Sequence, residues 1–147
     1  MNANSTAERV LYSVIALLAF AGATVSAVSL QRHYATSATT FCDFNQQFNC
    51  DIVNRSEWST LGGIPVAAIG VGGYVALFIF STFRRSRAET PNLLLAGAVI
   101  GLGFALYLTY IEAHELMTWC ILCIASQMLI LAITLLAAIV KWRTAAS

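Results

Sequence analysis

The sequence predicts an all-α integral membrane protein, a bundle of four transmembrane helices. Three observations predict it. Four stretches, Val10–Gln31, Ile64–Phe83, Pro91–Ile111 and Leu116–Val140, contain no Asp, Glu, Lys or Arg. Each offers about the 20 residues that a helix needs to cross the hydrocarbon, and each is apolar all round rather than along one stripe. Only 10% of the 147 residues are charged, against about 25% in soluble domains, and the mean hydropathy is +0.74.

The elements follow in order within a single membrane domain spanning 1–147. The first helix is expected over about 10–30. Its Arg9, apolar run and "TVSAVS" also fit a secretory signal peptide with a small-residue cleavage site. The run exceeds the usual apolar region of such a peptide, however, and Glu8 sits beside Arg9. Next comes the outer loop, 31–63, polar and aromatic by turns. The second helix, about 64–83, opens on "GGIP", where Pro65 suits a first helical turn whose N–H needs no partner. A basic link, "RRSRAETPN", leads to the third helix at about 92–112. A short turn, "AHELMTW", precedes the fourth at about 119–140. Trp58, Trp119 and Trp142 fall at helix ends, where indole rings favour the membrane interface. Small residues in "AAIGVGGY" and "GAVIG" suit close helix packing.

Charge sets the expected orientation. Arg9, Arg84, Arg85, Arg87, Lys141 and Arg143, six of the eight basic residues, share one side if the chain weaves in and out. The positive-inside rule puts that side, with both termini, in the cytoplasm. The opposite face then carries all four cysteines, Cys42, Cys50, Cys120 and Cys123. A net charge of +1 gives no sign of a nucleic-acid partner.

Zinc sites usually pair two tight knuckles, whereas Cys42 and Cys50 are separated by seven residues. Two structural disulfides would suit an oxidising compartment, and Cys42–Cys50 would staple its loop. Cys120–Cys123 is a poor staple, because a closed loop of so few residues removes little chain entropy. That pair reads as chemical. A thiol at a helix N-terminus is favoured as thiolate, and three residues of helix rise about 4.5 Å. Cys120 is therefore expected near the water boundary and Cys123 one turn deeper. Thiol–disulfide exchange would then join a loop pair that meets soluble proteins to an inner pair that meets a lipid-soluble two-electron acceptor, a membrane quinone.

The order "FCDFNQQFNCDIVNRSEW", second helix, basic link, "YLTYIEAHELMTWCILC" resembles the vitamin K epoxide reductase family in its bacterial form, over roughly residues 9–143. The resemblance implies that a short amphipathic helix in the outer loop caps the bundle and that a quinone, ubiquinone or menaquinone, binds beside Cys123. It also implies that Cys42 and Cys50 are the shuttle pair, with Cys50 passing electrons to Cys120. Ser56 matches the family serine near the quinone head group, although a helix N-cap is an equal reading. Tyr107, Leu108, Ile111 and Glu112 match the third-helix lining of the pocket. Gln127 stands where vertebrate members carry a tyrosine, and the vertebrate asparagine after the serine has no counterpart. Quinone reduction is therefore expected rather than epoxide reduction.

The implied function is a membrane thiol oxidoreductase of the bacterial inner membrane that generates disulfides in exported proteins. Its dithiol partner would be a separate thioredoxin-like (DsbA-type) protein, since the chain ends at "KWRTAAS". The competing class is a non-catalytic four-helix module, a small transporter or assembly subunit stapled by disulfides. A transporter of drug type would need an acidic residue well inside a helix, and none precedes Glu112 at the rim.

Overall fold

A computed structural model of the chain describes residues 3–34 and 47–146. Along the chain run α1 (Ala3–Tyr34), α2 (Cys50–Asn54), a 3-10 turn (Glu57–Ser59), β1 (Thr60–Leu61) and β2 (Ile64–Pro65). Then come α3 (Val66–Thr82), α4 (Thr90–Ile111), a π-helical turn (Glu112–Leu116) and α5 (Ile121–Ala146). The four larger helices close a ring: α1 packs on α3 and α5, and α4 packs on α5 and, through the thinnest seam, on α3.

Three of these are long and apolar enough to cross a membrane: Ser5–Tyr34 within α1, Thr90–Leu116 (α4 with its π turn) and α5. The fourth, α3, has 17 residues, about 25 Å at 1.5 Å per residue. It is shorter than the sequence suggests because its expected first residues belong to a hairpin. Gly62 and Gly63 both take positive φ, 61° and 85°, the pairing that a two-residue primed turn demands. Thr60 consequently pairs with Pro65, and Leu61 with Ile64. Pro65 thus precedes the helix as its N-cap residue instead of lying in its first turn. The outward faces carry Leu17, Phe20, Val99, Ile100, Met128 and Leu135, all exposed. Such faces suit lipid, against which helices satisfy their own backbone groups. The chain is a membrane protein.

A dense core fills the half of the bundle that carries the termini. Ile15, Leu94, Ile133 and Val140 are fully buried in one cluster with Tyr12, Ala19 and Ala98. Small residues allow α1 and α3 to approach closely. A Cβ on Gly22 would overlap the Tyr74 ring, and one on Gly70 would stand 2.8 Å from Ser26 Oγ. The basic link is closed by Thr90, buried at the start of α4, whose hydroxyl donates to the Arg84 carbonyl. Pro91 occupies the first turn of α4, where its missing N–H costs nothing.

Candidate functional site

Backbone bonds bring two cysteine-bearing segments side by side. The Trp119 N–H donates to the Gln47 carbonyl at 2.6 Å, and the Asn49 N–H donates to the Trp119 carbonyl at 3.0 Å. Phe48 and Trp119 thereby form a parallel bridge. Trp119 is extended as a result, so α5 begins at Ile121, and Cys120 precedes it with its carbonyl accepting from the Ile124 N–H at 3.0 Å. On the facing segment the Asn49 side chain accepts from the Ile52 N–H at 3.1 Å and caps α2, which opens with Cys50. Arg32, at the end of α1 and buried, anchors α2 by two-pronged donation to Asp51 (Nε to Oδ1 3.1 Å, Nη2 to Oδ2 3.2 Å), the fork geometry that suits Arg to carboxylate.

Cys50 and Cys120 therefore share one buried cluster with Val53, against which Leu116, Leu122 and Cys123 pack. Cys50 is disulfide-bonded, whereas Cys120 and Cys123 carry free thiols. Cys42 lies outside the described residues. Cys120 is 0% exposed and does not sit at a water boundary, because α2 covers it. Asn54 is buried beneath the same cover, its amide donating to the Cys50 carbonyl at 2.9 Å and lying 3.8 Å from Cys120 Sγ. The neighbouring Cys123 thiol holds Cys120 below the ordinary thiol range. Burial pushes the other way, the Cys123 N–H lowers it, the Glu112 carboxyl raises it and the Leu122 N–H lowers it.

Glu112 is buried, 3% exposed. The π turn and the left-handed Met117 that follows it (φ 49°) fold the chain back, with the Thr118 N–H donating to the Glu112 carbonyl at 3.2 Å. The carboxyl group then reaches over the mouth of α5. Its Oε2 accepts from the Cys120 N–H at 3.2 Å, which sets the carboxyl group beside the Cys-x-x-Cys pair.

Beside Cys123 opens a cavity of about 470 Å³ between α3, α4, α5 and the Tyr34 end of α1. Its walls are largely apolar, with polar groups placed toward the loop: His33, Asn54, Ser56, Ser59 and Glu112. Size and lining suit a small organic ligand, and the apolar walls with a few convergent polar groups fit a quinone ring. Ile69 and Ile100 line the cavity and are also exposed on the outside of the bundle, so it opens sideways through the α3–α4 seam.

Of the residues singled out from sequence, Ser56, Leu108, Ile111, Glu112 and Cys123 line this cavity. Ser56 occupies the N-cap position of the 3-10 turn without capping it, and its hydroxyl donates to the Val53 carbonyl at 2.9 Å. Tyr107 and Gln127 do not line it. Leu108, Ile111 and Glu112 share one helical stripe at i, i+3 and i+4, whereas Tyr107 falls past its edge, half exposed and stacked on Phe104. Gln127 is turned toward α4, where its Oε1 accepts from the Thr109 hydroxyl at 3.3 Å. Ser126, one position earlier, faces the cavity.

Sequence reasoning missed Asn54, His33 and Tyr74. The His33 Nδ1 bonds to the Asn54 carbonyl and approaches the Ser59 hydroxyl at 3.3 Å, tying α1 to the loop. The buried Tyr74 hydroxyl donates to the Ser126 carbonyl at 2.8 Å, bracing α3 against α5. An "N-R-S" run after a cysteine carries no local signal for such roles; only the docking of α2 creates them.

No curated protein matches the chain. The model of one family does, over residues 13–138, a span that contains all four cysteines and every element between α1 and α5. With a free Cys-x-x-Cys pair at the mouth of α5, a disulfide-bonded cysteine docked on it and an apolar cavity alongside, the chain belongs to the vitamin K epoxide reductase family, which implies membrane thiol–disulfide oxidoreductase activity.

Proposed function

We propose that this protein passes electrons from an extracytoplasmic thioredoxin-like dithiol, through a loop pair of Cys42 and Cys50 and an inner pair of Cys120 and Cys123, to a membrane quinone, and so generates disulfides in exported proteins. One observation carries the reading: Cys120 is sealed against disulfide-bonded Cys50, while Cys123 opens onto an apolar cavity whose walls include the exposed Ile69 and Ile100. The two thiols thus have different audiences.

Exchange runs by thiolate attack through mixed disulfides. A partner dithiol reduces the loop pair. The freed Cys50 thiolate attacks Cys120 Sγ of the oxidised inner pair, and Cys123 leaves with the electron pair. Cys42 then resolves the Cys50–Cys120 bond, so that the loop disulfide re-forms and the inner pair is left as a dithiol. Ser56, Asn54, Leu108, Ile111 and Glu112 would hold the quinone beside Cys123. When bound, it supplies the two-electron, two-proton acceptor for the inner dithiol.

The reading includes four crossings, with α3 spanning in a locally thinned or tilted arrangement. Both termini then lie in the cytoplasm with the Arg84–Arg87 link, and the cysteines face outward. The setting is a bacterial inner membrane.

Purified protein in vesicles containing ubiquinone or menaquinone, supplied with a reduced thioredoxin-like protein, tests the proposal. The expected result is stoichiometric bleaching of the quinone spectrum with appearance of oxidised partner. Partner oxidation that proceeds equally in quinone-free vesicles overturns the acceptor, and no oxidation in either overturns the function.

A further inference from the structure

We propose that Glu112 is the proton carrier of the inner cysteine pair, protonating Cys123 as it leaves and taking the proton back when the pair is oxidised. The inference rests on the relay reading and assigns it a group that handles protons. Thiol–disulfide exchange moves electrons between sulfurs directly. Each thiolate expelled inside a protein nonetheless needs a proton, and Cys123 leaves into an apolar cavity where water is scarce.

Glu112 is placed for that task. Its carboxyl group accepts from the Cys120 N–H at 3.2 Å and lines the same cavity as Cys123, one helical turn further along. It is 3% exposed, and it makes no ion pair among the described residues: both ion pairs there go to Asp51. A buried carboxylate without a cation is costly, and an acid in a membrane helix is rarely idle. The π turn that aims it is a feature frequent at functional sites, and the left-handed Met117 beside it is a strained position of the kind that clusters there. Ionised, it accepts from the Cys120 N–H; protonated, it holds an O–H that it can give to the Cys123 sulfur.

The step balances. The Cys50 thiolate attacks Cys120 Sγ; the Cys50–Cys120 bond forms, the Cys120–Cys123 bond breaks, and its electron pair stays on Cys123 Sγ. Glu112 gives that sulfur its proton and becomes a carboxylate. When the inner dithiol later loses two electrons to a quinone-class acceptor, the Cys123 proton returns to Glu112, and the reduced acceptor draws its two protons from water at the loop end of the cavity. The titratable groups facing Glu112 are Cys120 and Cys123 from the α5 segment. His33 lines the same cavity from α1; Cys50 on α2 is disulfide-bonded; His114 and Glu115 on its own turn are exposed.

The test uses the full-length protein with both pairs oxidised, in quinone-free detergent, with dithiothreitol as donor to the loop. Mass tagging of quenched samples follows the appearance of the Cys123 thiol in wild type, Glu112→Gln and Glu112→Asp between pH 6 and 9. Glu112→Gln is expected to slow inner-pair opening by about 10²-fold near pH 6, the scale of general acid catalysis. The deficit should shrink as pH rises and the leaving thiolate no longer needs a proton, and Glu112→Asp should recover most of it. Maleimide labelling of the pre-reduced protein should be no slower in Glu112→Gln, which shows that the cavity is intact. A Glu112→Gln rate within twofold of wild type at pH 6 overturns the proposal. So does a deficit that is constant with pH and unrelieved by Asp, the mark of a structural role. Because quinone is absent, neither result bears on the acceptor, which fails separately if normally exchanging wild type is not reoxidised by quinone.

Discussion

The two halves of the bundle are built to opposite rules. Toward the termini, Ile15, Leu94, Ile133 and Val140 are fully buried in a continuous apolar cluster. Toward the loop, the same helices diverge around a cavity of about 470 Å³ and bury Arg32, Asn54, Ser59 and Glu112. Close packing of the first kind stabilises, and every void or buried polar group of the second kind costs. The difference teaches where the molecule is scaffold and where it is chemistry. Tyr74 marks the border: its ring fills the space over Gly22 while its hydroxyl holds Ser126 at the cavity wall.

Substitutions break or sharpen this contrast. The largest effect is expected from Cys120→Ser in the hollow half. Electron transfer from loop to inner pair should fall by about 10³-fold or more, as when one member of a catalytic unit is removed, with unfolding free energy changed by only about 1 kcal/mol. Stopped exchange assays beside thermal denaturation read both numbers. In the solid half, Ile133→Ala should do the reverse. It should lower stability by about 2–5 kcal/mol through the void it leaves and keep exchange rates within about twofold once folded. A large loss of exchange in the folded variant would erase the distinction between the halves.

Gly73→Leu is the sharper probe, because a Cβ on Gly73 meets nothing within 4 Å and the residue lines the cavity. Acceptor binding should weaken about tenfold or more, a cost of 1.4 kcal/mol, while stability holds or rises, as cavity filling commonly allows. Equilibrium titration of quinone by fluorescence quenching decides it; unchanged affinity would place the acceptor elsewhere. The smallest effect is expected at the border, where Tyr74→Phe loses one hydrogen bond, about 1 kcal/mol, in a denaturant titration.

Much of this was legible in the residues. Charge-free stretches mark the long helices, and "WCILC" marks the reactive pair by spacing alone. Helical phase was not legible. A segment apolar all round has no stripe to fix which side faces inward, so Tyr107 and Leu108 look equivalent until α4 is packed. The start of α5 was misplaced for another reason: Trp119 is drawn out of the helix by bonds to Gln47 and Asn49, some seventy residues away. Asn54 and His33 enter the site only because Arg32 fastens α2 over it. Pairings of that range leave no trace in local composition.

The Phe48–Trp119 bridge has a consequence for how such a site can drift over generations. Its bonds run from main chain to main chain, so any residue that keeps its N–H makes them at 47, 48 and 119, whereas Asn49 also caps α2 with its side chain. Non-proline replacements at 47, 48 and 119 leave Cys50 and Cys120 abreast. A change in length does not: deleting one residue from 117–119 pulls Cys120 out of line with its neighbour, although every pocket residue survives. The site is thus forgiving of spelling and strict about spacing.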